Sequence, residues 1–160
     1  MMHAVWLLLG SNMGNSNDLL DKAIGLIGQR VGVVKRVSKR YTTAAWGNMQ
    51  QPDFLNQVIC VQSAMPATQI LKSILAIEAK MGRVRTIKNA PRTIDIDILF
   101  FDKEIIHQPD LMVPHPEIAN RRFVLIPLNE LIPNFIHPVL QQNIHQLLKN
   151  CKDTLDVKKN

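Results

Sequence analysis

The chain has 160 residues, a formal net charge of +6 and 46% hydrophobic residues, with a mean hydropathy near zero. This length is expected for one domain over residues 1–160, and the apolar content suffices to hide roughly 70% of the unfolded surface, which excludes wholesale disorder. The basic excess attracts anions without distinguishing nucleic acid from a nucleotide, so function has to be read from individual residues.

Residues 4–10 are a short apolar run with no basic segment before them and no small-residue cleavage pattern after them, and they read as a first strand rather than a leader. No stretch approaches the roughly 20 apolar residues of a membrane span. Cys60 and Cys151 have neither C-x-x-C nor zinc spacing and are expected to be inert thiols in a reducing cytoplasm. Over 15–29, Leu19, Leu20, Ala23, Ile24 and Ile27 recur at helical spacing, with Asn15, Ser16 and Asn17 as caps. The β-branched segments 33–42 and 54–62 predict two strands joined by an irregular connector over 43–53. Pro66 opens a second helix whose buried face is Ile70, Leu71, Ile74, Leu75, Ile77 and Met81, and Gly82 stops it. A basic loop over 83–93 leads to a strand at 94–101. Beyond it come a hairpin-like piece around 102–106, the proline-containing segment 111–123 and a last helix at 141–149. The order βαββαβ predicts an α+β fold. Its expected form is a ferredoxin-like sandwich, an antiparallel sheet with helices on one face, plus additional C-terminal strands and helices.

The segment Pro91-Arg92-Thr93-Ile94-Asp95-Ile96-Asp97-Ile98 carries the most chemistry. Period-two geometry puts Asp95 and Asp97 on one strand face, roughly 6 to 7 Å apart, with the isoleucines on the other. Two such carboxylates repel unless cations lie between them, and a pair of hard cations about 3.5 to 4 Å apart fits, with magnesium the natural choice. A half-wet antiparallel strand also alternates polar and apolar residues without any site, but aspartate is a poor strand former, so two in mid-strand favour function. Arg83, Arg85, Lys88 and Arg92 precede the pair in a loop suited to polyphosphate, and no Walker sequence is present. His115, Arg121 and Arg122 offer further phosphate contacts. Phe54 and Phe123 could stack on a flat heterocycle, and Asn56, on the strand face of Phe54, could read its edge.

These residues resemble the 6-hydroxymethyl-7,8-dihydropterin pyrophosphokinase family of folate biosynthesis. The matching pieces are Gly10-Ser11-Asn12, Tyr41-x-Thr43, Gln51-Pro52-Asp53-Phe54-Leu55-Asn56, Glu78, Gly82-Arg83-Val84-Arg85, the Pro91 to Asp97 segment, Val113-Pro114-His115 and Asn120-Arg121-x-Phe123. They follow the family order over nearly the whole chain. The resemblance implies transfer of the β,γ-diphosphate of ATP to the pterin hydroxymethyl group, with release of AMP. It implies two magnesium ions on Asp95 and Asp97, and a catalytic set of Arg83, Arg92, Asp95 and Asp97. It further implies a pterin site of Thr43, Ala44, Trp46, Phe54, Asn56 and Phe123. On the ATP side it implies Glu78, Arg83, Arg85, Arg92, Ile98, Leu111, His115 and Arg121. Asn89-Ala90 stands where a Trp-Gly pair is common in the family, the basic loop is one residue shorter than in some members, and Leu75 and Asp110 replace residues that are polar and basic in some members.

An RNA-binding module of the RRM type shares the expected sheet but needs an aromatic-rich RNP1 pattern where this chain has two aspartates. A two-metal phosphohydrolase would also use D-x-D, but would need no pterin. The expected partners are therefore ATP and the dihydropterin, with no nucleic acid and no membrane, acting on a monomer.

Overall fold

Alternation along three strands divides the protein into two apolar layers on either side of one sheet. The computed structural model describes residues 1–44, 53–82 and 94–160. In chain order these form β1 (His3–Ser11), α1 (Ser16–Arg30), β2 (Val33–Val37), β3 (Tyr41–Thr43), β4 (Phe54–Ser63), α2 (Ala67–Lys80) and β5 (Asp95–Phe101). There follow β6 (Ile106–Gln108), β7 (Leu111–Val113), a 3-10 turn (Ile118–Asn120), α3 (Arg122–Leu131), α4 (Ile144–Asn150) and β8 (Val157–Lys159). The main sheet runs β5-β1-β4-β3-β8, with β2 also paired to β4, and these pairings are antiparallel. This α+β architecture, an antiparallel sheet with helices, is the one expected.

Odd-numbered residues of β1 and β4 (Val5, Leu7, Leu9, Ile59 and Val61) join Ile96 and Ile98 of β5 against Leu20, Ala23 and Ile27 of α1 and Ile70, Ile74 and Ile77 of α2. Each such side chain, fully buried, contributes about 1.5–3 kcal/mol of transfer free energy. Even-numbered residues (Trp6, Leu8, Val58 and Cys60) pack instead against Val124, Leu125 and Leu128 of α3 and Ile144 and Leu147 of α4. A register shift between Trp6 and Leu7 in the β1–β5 pairing turns both Leu99 and Phe100 toward α3. The Tyr41 hydroxyl, buried and pushed up to about 12 by burial and by Glu130, donates to the Glu130 carboxylate at 2.6 Å and ties β3 to α3.

Local chemistry sets the element ends. Asn15 stands at the start of α1 without capping it, its amide donating to Asp18 in the first turn. Gly82 ends α2 at φ +89. Asn143 and Gln146 form a reciprocal capping box at α4.

Four expectations change. The predicted strand over 33–42 breaks in two because Ser38 bonds Val58 through both its backbone N–H and its hydroxyl, while Arg40 turns away to Asn17, Asp21 and Gln57. Helix α3 begins at the end of the proline-containing segment expected over 111–123 and runs on through residues for which no element was expected, with Pro127 in its interior. The last helix starts at Ile144 rather than at 141, since Gln141 takes φ +57 and Asn143 is the cap. The hairpin closes at 109–110 between β6 and β7 instead of around 102–106, where Asp102 turns the chain and accepts from the Ala4 N–H and pairs with His3 Nδ1. Strand β8, added to β3 by residues 157–159, was not foreseen. Both cysteines are free, and Cys60 is buried.

Candidate active site

Helix α3 covers only one end of its sheet face, where Trp6, Leu8, Val58 and Phe100 lie. Past Leu8 stands Asp95, and level with Leu8 stands Asp97, both half-buried on the open side of β5, while Ile94, Ile96 and Ile98 are at most 5% exposed on the closed side. Asp95 pairs across the sheet with Gly10, and Asp97 with Leu8. A cavity of about 280 Å³ opens here and gathers Asp95, Asp97, His115, Glu117, Arg121 and Phe123. The D-x-D strand, the histidine after β7 and the start of α3 are thus brought to one place from three parts of the chain.

Each wall of the cavity is braced by the next. His115 Nδ1 accepts the Glu117 N–H at 3.1 Å. Burial pushes the His115 pKa down, Arg121 pushes it further, and Glu117 opposes them, so the ring is neutral at physiological pH with a donor N–H left on Nε2. Glu117 accepts from Asn120 Nδ2 at 3.0 Å and pairs with Arg121 at 3.7 Å. Its carboxyl is held below the usual range chiefly by the Asn120 hydrogen bond, which burial opposes and Arg121 and His115 reinforce. The Arg121 guanidinium in turn lies 5.8 Å over the Phe123 ring. Sequence reasoning missed Glu117, whose only signal was its four-residue spacing to Arg121.

Two strands away from β5 stand Phe54 and Asn56 on β4, with Thr43 on β3 beyond them. Asn56 is 3% exposed, and its amide donates to the Thr43 hydroxyl at 3.0 Å, which fixes the side chain. Phe54 is half-buried and Ala44 is exposed. Gly10 lies between Asn56 on β4 and Asp95 on β5, directly opposite both.

A second cavity of about 260 Å³ lies at the outer edge of β5, against the β6–β7 hairpin, and holds Leu71, Ile98, Asp110 and Leu111. It shares Asp97 and His115 with the first, so these two residues stand where the cavities meet. Glu78 of α2 is 1% exposed, and its carboxylate accepts the Ile96 N–H at 2.8 Å, bracing β5 from within the closed layer. Trp46, Arg83, Arg85 and Arg92 lie outside the described residues.

The donor set suits magnesium. Asp95 and Asp97 offer carboxylate oxygens from one strand face into one cavity, the hard ligands that this ion takes, and an open cavity leaves room for the waters and phosphate oxygens that complete its shell.

Known proteins repeat both sequence and fold. The family model described as 7,8-dihydro-6-hydroxymethylpterin-pyrophosphokinase matches residues 6–133. The chain is 36% identical over 153 residues to the 2-amino-4-hydroxy-6-hydroxymethyldihydropteridine pyrophosphokinase of Synechocystis, covering 95% of this chain and 78% of that protein. It is 37% identical over 145 residues to the enzyme of the same name from Aquifex aeolicus, covering 91% and 90%. Among solved structures, wild-type Plasmodium falciparum HPPK-DHPS with pteroate matches with a TM-score of 0.77 at 19% identity, over 93% of this chain and 42% of that longer one. The chain belongs to the 7,8-dihydro-6-hydroxymethylpterin-pyrophosphokinase family, and its activity is the ATP-dependent transfer of pyrophosphate to hydroxymethyldihydropterin in folate biosynthesis.

Proposed function

We propose that the cavity joining Asp95, Asp97, His115, Arg121 and Phe123 is where this transfer takes place. The observation that carries the reading is the convergence of a carboxylate pair, a cationic side chain and an aromatic ring on one opening, beside the fixed carboxamide of Asn56. Asp95 and Asp97 hold two magnesium ions, which supply charge neutralisation on the polyphosphate and a more acidic environment for the attacking hydroxyl. Arg121 and the neutral His115 hold phosphate oxygens through charge-assisted and N–H hydrogen bonds. Arg83 and Arg92, from the basic loop, neutralise the transferring group, and Arg85 of the same loop serves ATP.

The pterin stacks between Phe54 and Phe123, with Asn56, Thr43, Ala44 and Trp46 around its edge. The nucleoside occupies the second cavity against Ile98 and Leu111, and Glu78 serves that side by bracing β5. The hydroxymethyl oxygen attacks the β-phosphorus, a P–O bond forms, the bond to the α-phosphate oxygen breaks, and AMP leaves. The substrate hydroxyl gives up its proton to solvent or to a phosphate oxygen. Holding acceptor and donor in line is what the two adjoining cavities supply.

We also infer a ferredoxin-like core from the strand order β5-β1-β4-β2 with α1 and α2 on one face. We read residues 1–160 as one pyrophosphokinase domain. A monomer kept apart from its copies by a charge of +6 fits, and a reducing cytoplasm fits the two free thiols. The test is AMP formation from ATP with and without 6-hydroxymethyl-7,8-dihydropterin, before and after chelation. AMP is expected only with pterin, to vanish with EDTA and to return with magnesium. AMP formed without pterin, or turnover that survives chelation, would sink the reading.

A further inference from the structure

Glycine is a poor choice for the middle of a paired strand, since it loses more conformational freedom on folding than any other residue and packs nothing. Gly10 nevertheless sits in β1, paired on both sides, and it is not one of the positive-φ glycines, Gly14 and Gly82. Backbone conformation therefore does not demand it. A Cβ there would point to the open face, 3.2 Å from Asn56 Oδ1 and 3.9 Å from Phe54 Cδ1. Asn56 is buried and fixed by Thr43, so it yields little. On the other side of Gly10 stands Asp95. Two interstrand spacings, roughly 10 Å in all, thus separate the carboxamide from the carboxylate, and β1 puts no side chain between them.

From this we infer that Gly10 is a specificity-determining residue: its missing side chain leaves the trough through which the acceptor's 6-hydroxymethyl arm passes from Asn56 to Asp95. The inference rests on the assignment of Asn56 to the pterin and of Asp95 to the phosphate side. A ring read by Asn56 has to extend its reacting arm across the β1 backbone, and any side chain at position 10 would occupy that path.

Gly10→Ala tests this with two ligands that differ only in the arm. For 6-hydroxymethyl-7,8-dihydropterin, kcat/KM is expected to fall at least 30-fold. Affinity for 7,8-dihydropterin, which lacks the arm, and affinity for ATP should stay within 2-fold. An equal loss for both pterins would overturn the inference, because the added methyl would then act only by displacing Asn56, and so would no loss for either. Wild-type protein gives a second measurement that needs no variant. Leu9-Gly10 is the chain's only Leu-Gly pair, so carbonyl-13C leucine with 15N glycine marks a single amide. That amide should shift with the hydroxymethyl ligand and move markedly less with 7,8-dihydropterin, and equal shifts would overturn the proposal. Asn56→Ala, run in parallel, separates the two levels. Undiminished binding of both pterins to it would overturn the site assignment and this inference together. Loss of both pterins there, with Gly10→Ala behaving as wild type, would overturn only the role of Gly10.

Discussion

The two faces of the sheet are built from the same strands by the same alternation, yet one is closed and the other is only half closed. On the α1/α2 face, Leu7, Leu9, Ile59, Ile96 and Ile98 meet helices along the whole length of the strands. On the α3/α4 face, Trp6, Leu8, Val58 and Phe100 are covered, while Gly10, Asn56 and Asp95 lie one pleat beyond Leu8 and Val58, and Asp95 lines a cavity together with Asp97, which is level with Leu8. A one-sided strand can thus supply core to one layer and chemistry to the other, and how far the second layer of helices reaches decides where core ends and site begins. The closed face also stiffens the open one, because the backbone that carries Asp95 and Asp97 carries Ile96 between them, and its N–H is held by Glu78.

If that division is real, substitutions on the two faces should separate activity from stability. The largest effect is expected from Asp97→Asn, which removes a hard ligand and a charge from the open face. Turnover measured as AMP formation should fall by more than about 1,000-fold, a loss of about 4 kcal/mol in transition-state stabilisation. Stability in urea should stay within about 0.5 kcal/mol, the usual range for a change outside the packed core. An Asp97→Asn enzyme with near-normal turnover would remove the metal assignment. On the closed face, Ile74→Ala opens a cavity at a residue 1% exposed and should cost about 2–5 kcal/mol. Its kcat per folded molecule should match that of the wild type. A large fall in kcat with full stability would show that the closed layer tunes the site directly, and the comparison would fail.

The two faces were not equally legible in the sequence. The closed face was readable because α1 and α2 repeat apolar residues at helical spacing, and β1, β4 and β5 are unbroken by proline. The carboxylate pair was readable because aspartates alternating with isoleucines violate strand preference twice in three residues. The covering of the open face was not: α3 carries Pro127 and follows Pro114 and Pro116, so local rules assign no element to 124–131, where tertiary packing of Val124, Leu125 and Leu128 onto Trp6 and Phe100 sustains a helix. Strand β8 is three residues, two of them lysines, and only its pairing with Tyr41 to Thr43 makes it a strand. The bracing by Glu117 depends on a turn that brings it back to His115, which spacing alone does not specify. Elements determined by their own periodicity could be read, and those determined by a distant partner could not.

The smallest expected effect concerns the covered end of the α3/α4 face, where His137 is 5% exposed and meets Phe100 edge-on at 5.6 Å. Its Nδ1 accepts the N–H groups of Val139 and Leu140 at 3.1 and 3.0 Å, a role that only the neutral ring can fill. Burial lowers its pKa, so the folded protein takes up this proton less readily than the unfolded chain does. The stabilisation it brings is therefore complete above the unfolded value of about 6.5 and is lost as pH falls through the folded value. His115 shifts in the same direction and adds to the slope, so a variant is needed to separate them. Urea unfolding of the wild type at pH 7.5 and 5.5 should show a loss at the lower pH, and His137→Gln should show a smaller one, from a lower starting stability. An unchanged difference between the two pH values would assign the slope to the cavity on the open side, leaving the covered end without a titrating group of consequence.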